Sequence, residues 1–177
     1  LVFHPYLTGE RCPHPHPHAR GALLGLTRSH TRGDLVAAVL DGITLGMGAQ
    51  MELMRRLGVP IRQVRLGGGG ARSAVWRQLQ ADIYNARCVT MSSEEGSALG
   101  AAVLAGVGAG LFRSVPAGSE LAARVKAEHK PDKAEVARYR RLAKLTAGLY
   151  ETLEPSYRTD ATWSGATTKA KPRPRRR

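Results

Sequence analysis

Apolar side chains recur at steps of three and four along much of this chain, and that spacing defines most of its elements. Leu35, Val36, Val39, Leu40, Ile43, Met47, Met51 and Met54 form one such series. They predict a long helix with a buried stripe, opened by Asp34 as N-cap and ending near Leu57, with Gly58 just past its end. Ile61, Val64 and Leu66 read as a short strand running into residues 67–70, all glycine. Ser73 is placed to cap a helix through about Tyr84, with Trp76, Leu79 and Ile83 on its inner face. Cys88, Val89 and Met91 mark a second strand, and the small residues over 94–111 predict a helix able to approach its neighbours closely. A loop is expected over 115–119. Asp132 and Glu135 then resemble a capping box, opening a helix to about Leu153. Val136, Tyr139, Leu142, Leu145 and Leu149 give this helix an apolar side, and Arg138, Arg140, Arg141 and Lys144 a basic one. At the N-terminus, residues 3–8 fit a short edge strand and residues 9–18, interrupted by prolines, fit a loop. The order helix, strand, helix, strand, helix predicts an α/β fold, with right-handed crossovers if the strands are parallel.

Composition narrows the class. A chain of 177 residues with 42% hydrophobic side chains can bury one core. Cys12 and Cys88 are far apart and lack metal-type spacing, which argues against a disulfide scaffold and fits a reducing, cytoplasmic setting. No long apolar run indicates a membrane span, and no basic stretch followed by an apolar one marks a signal peptide. Beginning at Leu1, the chain reads as entering within a structural element. Its net charge of +13 invites a nucleic-acid reading, but Lys169, Lys171, Arg173, Arg175, Arg176 and Arg177 supply much of it. They sit in a Pro- and Thr-rich segment that cannot build a core. Residues 158–177 therefore read as a solvated basic tail with weak, nonspecific polyanion binding, and residues 1–157 as the folded part.

The four glycines carry the candidate chemistry. Glycine reaches positive φ and lets a ligand lie against bare backbone, and the helix that follows offers N–H groups and partial positive charge to an anion. The carboxyl ends of strands are also where open α/β sheets bind ligands. No Lys-Ser or Lys-Thr follows, so this is not a P-loop, and the spaced glycines of dinucleotide folds are missing as well. Taken alone, the turn reads equally well as a tight strand–helix junction. His14, His16 and His18 alternate with prolines, and they read as loop residues capable of adventitious nickel or zinc binding rather than as a metal centre.

Neighbouring motifs change that balance. Gly67-Gly68-Gly69-Gly70-Ala71-Arg72-Ser73, followed by Trp76-Arg77-Gln78 and Ala81-Asp82, resembles the C-terminal domain of the FGGY carbohydrate kinases, most of all their xylulose kinase branch. Gly21, Leu23, Gly25 and Leu26, then Asp34-Leu35 and Ala38-Val39-Leu40-Asp41, are similar to a second family signature. Pro5-Tyr6-Leu7, Gly9-Glu10-Arg11, Pro13-His14, Ala19-Arg20-Gly21 and Glu95-Gly96 with Ala98-Leu99-Gly100-Ala101-Ala102 add to the likeness. Cys12 departs from a usual threonine, Pro15, His16 and His18 from an asparagine- and aspartate-bearing stretch, and Asp41 from a common glutamate.

The resemblance implies part of an actin-like, ribonuclease-H-like ATPase domain. It also implies the conversion of D-xylulose and ATP to xylulose 5-phosphate and ADP, with Mg2+ bound mainly through the nucleotide. Gly69, Gly70 and Ala71 are the leading nucleotide contacts, then Gly68 and Ser73, with Gln78 near the adenine. The family's catalytic aspartate, sugar-binding domain and phosphate-holding hairpin precede the matching region, so the chain is expected to be a C-terminal fragment, inactive alone, with no catalytic residue assigned. Asp34, Asp41 and Asp82 fall on expected helices, where capping or solvation accounts for them. Expected partners are ATP or ADP, a sugar held by an N-terminal domain, and a second copy in a homodimer, with no membrane. A glycerol- or ribulose-type kinase, or a basic nucleic-acid-binding module, is the alternative.

Overall fold

The computed structural model describes residues 1–92, 96–122 and 124–163, the side chains of 122 and 159–163 excepted. They form two compact units, Leu1–Leu53 with the chain from Arg141 onward, and Met54–Arg140.

In the first unit, β1 (Val2–His4) pairs antiparallel with β2 (Ala22–Leu24), Phe3 opposite Leu23. The strand expected over 3–8 thus starts earlier and stops before Pro5, whose nitrogen has no hydrogen to donate. The proline-rich stretch is an ordered loop. Glu10 and His16 exchange backbone hydrogen bonds of 3.0 and 2.9 Å, and the Glu10 carboxylate accepts the N–H of Arg11 at 2.6 Å and of Cys12 at 3.0 Å.

α1 (Arg32–Arg56) begins two residues before the expected cap. Thr31 is the cap: its carbonyl accepts the Leu35 N–H at 3.3 Å, its hydroxyl the Asp34 N–H at 3.4 Å. The Asp34 carboxylate accepts both the N–H and the hydroxyl of Thr31 at 2.7 Å. Asp34 is therefore the returning member of a capping box rather than the cap itself. The Thr31 hydrogen bonds hold its carboxyl below the usual range. The buried stripe also differs from expectation. Ala38, Gly42, Thr44 and Leu45 are buried, whereas Val36, Met47 and Met54 are exposed. β1 crosses α1 so closely that a Cβ on Gly42 would overlap the Phe3 carbonyl, so close backbone approach, not side-chain size, selects the buried face. The C-terminal part of α5 (Lys133–Trp163) completes this unit, with Tyr150 and Tyr157 buried against Tyr6 and Ala19. α5 passes through Pro155 and outruns its expected end near Leu153, so residue 157 falls inside a helix.

The second unit opens at the end of α1. Gly58 adopts φ +81, and the N–H groups of Gly58 and Val59 reach the carbonyls of Arg55 and Met54 at 2.9 and 3.0 Å, the helix-ending arrangement the sequence predicts there. β3 (Gln63–Leu66) pairs parallel with β4 (Arg87–Met91), with α2 (Ala74–Tyr84) connecting them. α2 has the expected limits and cap, but Gln80, Ala81, Asp82 and Tyr84 are its buried residues, whereas Trp76, Leu79 and Ile83 are only half-buried. β5 (Val125–His129), which the sequence reading does not include, pairs antiparallel on the other side of β4. The sheet order is β3-β4-β5, and Cys88, Val89 and Thr90 of its central strand are buried.

α3 (Gly96–Gly108) follows β4. Glu94 and Glu95, expected to open it, lie outside the described residues. The expected loop over 115–119 is instead α4 (Val115–Ala122), started by Ser114, whose hydroxyl accepts the Ala117 N–H at 3.4 Å and whose carbonyl accepts that of Gly118 at 3.0 Å. Pro116 sits in the first turn, where no helical donor is required. Gly106 and Gly118 leave room for the Phe112 ring between α3 and α4.

Candidate functional site

The glycine turn stands at the carboxyl end of β3, and its four glycines do different work. Gly67, Gly68 and Gly69 are exposed, and a Cβ built on any of them would meet no heavy atom within 4 Å. Gly68 has φ +74, which favours glycine. Gly70 is the opposite case: a Cβ there would lie 2.7 Å from the Trp76 ring. From Gly69 to Arg72 the backbone winds into a single 3-10 turn, closed by the Ala71 N–H on the Gly68 carbonyl at 3.1 Å and the Ser73 N–H on that of Gly70 at 3.3 Å. Ser73 then caps α2, its hydroxyl accepting the Trp76 N–H at 3.2 Å. Gly68, Gly69, Gly70, Ala71 and Ser73 are thus contiguous on one turn, at the positive end of a helix dipole.

Gln78 faces another element. Its amide nitrogen donates to Asp82 Oδ1 and to the Lys130 carbonyl, both at 2.9 Å, and its oxygen lies 3.2 Å from His129 Nδ1. The same Asp82 oxygen accepts the Asp132 N–H at 2.8 Å. Asp132 caps α5 as expected, accepting from Ala134 and Glu135 at 2.8 and 3.1 Å, but its own N–H goes to buried Asp82, while Glu135 pairs with Arg138 at 2.8 Å. Asp82 is buried and accepts from Gln78 and from the Asp132 N–H, so neither of the expected accounts, capping of its own helix or solvation, explains it.

Arg77, Asp82 and His129 are the residues whose part in this arrangement the sequence reading does not assign. Arg77 donates to the carbonyls of Ala71 at 2.7 Å and Arg72 at 3.2 Å, and its Nε donates to His129 Nε2 at 3.0 Å. Hydrogen bonds therefore run from the glycine turn through Arg77, His129, Gln78 and Asp82 to the start of α5. Arg77 and Asp82 lie within the motif quoted above. His129 had no signal of its own, because it enters from a strand with a weakly apolar pattern.

On the central strand, Cys88 is fully buried and burial pushes its thiol up to about 11, so it is an inert core residue. The loop histidines are held by α5. His14 stacks on Tyr150 with ring centroids 4.0 Å apart, and His16 Nε2 lies 3.5 Å from Glu154 Oε1. Among the described residues no group of three or more His, Cys, Asp or Glu side chains is arranged to hold a metal, and no helix is long and apolar enough to cross a membrane.

Residues 1–109 match the model of the FGGY family of carbohydrate kinases, C-terminal domain. The chain belongs to that family. It is 38% identical over 150 residues to the xylulose kinase of Bacillus subtilis, covering 85% of this chain and 30% of that protein. It is 35% identical over 158 residues to the gluconokinase of the same organism, covering 89% and 31%. Among solved structures, a ligand-bound xylulose kinase from Lactobacillus acidophilus superposes with a TM-score of 0.81 at 32% identity over 90% of this chain and 32% of that one. A Plasmodium falciparum glycerol kinase with ADP gives 0.75 at 26% identity over 86% and 30%. The chain thus spans about a third of the length of these relatives and has part of the actin-like ATPase fold of FGGY kinases.

Proposed function

We propose that this chain forms the nucleotide-facing part of an ATP-dependent sugar kinase whose acceptor is D-xylulose. The observation that carries the reading is the open space over Gly67, Gly68 and Gly69 at the head of α2, beside a Gly70 already filled by Trp76. A nucleotide laid across the exposed glycines meets backbone rather than side chains. Gly68, Gly69, Gly70 and Ala71 supply that surface, Ser73 fixes the helix end, and Gln78 secures the turn's support from behind. Mg2+ would be held mainly by the nucleotide's phosphates rather than by residues of this chain, and would supply charge neutralisation. This reading gives no residue of the chain the role of taking the hydroxyl proton, and the 177 residues alone are expected to bind ADP without phosphorylating xylulose. A cytoplasmic location and pairing with a second copy belong to the same proposal. The likeness to the gluconokinase and to the glycerol kinase makes gluconate and glycerol the acceptors to test beside xylulose.

Isothermal titration of the chain with ADP tests this reading, with Gly69→Ala and Gly70→Ala as paired variants. Gly69→Ala puts a methyl into open space, so folding stability stays within about 0.5 kcal/mol while ADP affinity falls. Gly70→Ala drives a methyl into Trp76 and costs about 1–3 kcal/mol of stability. Unchanged ADP affinity in Gly69→Ala would remove the turn from the binding surface.

A further inference from the structure

The hydrogen bonds behind the glycine turn fix the protonation state of one histidine. The Gln78 amide nitrogen faces two acceptors, the Asp82 carboxylate and the Lys130 carbonyl, so its orientation is determined and its oxygen is the atom turned towards His129. His129 Nδ1 must then carry a hydrogen. On the other side, Arg77 Nε has only a hydrogen to offer, so His129 Nε2 must present its lone pair. These partners accept a single form of the ring, the neutral Nδ1–H tautomer. A proton on Nε2 would set two donors and two positive charges against each other across 3.0 Å. Arg77 is also the residue whose guanidinium holds the carbonyls of Ala71 and Arg72 at the end of the turn.

We propose that His129 is a positioning residue for the nucleotide turn, acting through Arg77: the lone pair on its Nε2 holds the guanidinium that in turn holds the carbonyls of Ala71 and Arg72. The proposal rests on the nucleotide reading above. The ionisable groups facing or flanking the ring are few. Arg77 and Asp82 come from α2, and Cys88 stands opposite on β4 with a thiol that stays neutral well above physiological pH. Glu128 is paired with Arg87 at 2.6 Å and with Lys130 at 3.7 Å, and Asp132 caps α5. Without the Nε2 acceptor the bond from Arg77 Nε is lost, and the turn keeps only the guanidinium's contacts to its own carbonyls. This places a positioning residue behind the turn, outside the surface offered to the ligand.

The test combines side-chain and backbone NMR on the 177-residue chain with ADP titrations. The expected result is an Nδ1–H tautomer of His129. In His129→Ala the amide resonances of Gly69, Gly70 and Ala71 should shift, and ADP affinity should fall roughly five- to tenfold. His129→Gln returns an acceptor to Arg77 Nε and should restore both readouts. Should the His129 variants fold poorly, Arg77→Lys keeps the charge, loses Nε and should reproduce the amide shifts. An Nε2–H tautomer, or turn amides and ADP affinity that do not respond to His129→Ala, overturns the proposal. If ADP fails to bind, the nucleotide reading falls, and the amide shifts alone decide whether His129 governs the turn.

Discussion

His4 illustrates how one side chain can set a pH limit without entering a binding site. It is fully buried, with ring centroids 5.6 Å from Tyr6 and 6.4 Å from Tyr150, and neither ring nitrogen has a hydrogen-bond partner among the described residues. Burial, and then nearby His14, lower its pKa from the ordinary 6.5. The folded protein therefore favours the neutral ring, while the unfolded chain takes up a proton first as pH falls. The stability associated with the neutral ring is fully present above the ordinary histidine value and is lost as pH drops through the lowered one. Urea unfolding followed from about pH 7 to about pH 5 should show a falling midpoint, and His4→Phe, which keeps an aromatic ring but cannot protonate, should flatten that fall. Equal slopes in the two proteins would assign the loss to other groups. The glycines make a related point: four identical letters split into three open positions and one held against Trp76, a distinction set by a side chain six residues on.

At the scale of elements, Asp82 links the turn's helix to the next one. Its buried carboxylate accepts from the Gln78 amide and the Asp132 N–H with a single oxygen. Asp82→Ala leaves both donors short of a partner and should cost about 1–3 kcal/mol in denaturant unfolding. The same change in a chain already carrying Gln78→Ala should cost less, because only the Asp132 N–H is then orphaned. Additive losses would mean that the two residues do not share this carboxylate. What was legible in the sequence follows the same division between local and distant causes. β3, the turn, α2 with its Ser73 cap, β4 and the Gly58 stop are specified by residues close together in the chain, and the structure agrees with each. β5 was not legible, because Val125, Lys126, Ala127, Glu128 and His129 become a strand only through pairing with β4. α4 was hidden by Pro116 and Gly118, which suggest a loop until Ser114 and Phe112 give them helical roles. In α1 the expected stripe is only partly right: Leu35, Val39, Leu40, Ile43 and Met51 are half-buried, but Val36, Met47 and Met54 are exposed, and close approach of β1 favours Gly42. At the candidate site the motif residues were readable, whereas His129 became visible only once β5 was in place.

For the whole molecule, the remaining question is what its charge does. Of the net +13, six positive residues fall between Lys169 and Arg177, within a stretch outside the described residues. The folded part carries a second basic group on α5, where Arg140, Arg141 and Lys144 are exposed, while Arg138 is paired with Glu135. We propose that the terminal six dominate any attraction to polyanions and have no part in nucleotide binding. Deleting residues 165–177 should abolish binding to a single-stranded oligonucleotide and leave the ADP isotherm unchanged. In the full chain, the oligonucleotide affinity should fall with salt at a log–log slope of magnitude no greater than about 4, the value if all six cations contact phosphates. A steeper slope, or oligonucleotide binding that survives the deletion, would move the contact to the α5 face. Substituting Arg140, Arg141 and Lys144 would then abolish it. Loss of ADP binding on deletion would instead tie the tail to the kinase site and overturn the separation of the two roles.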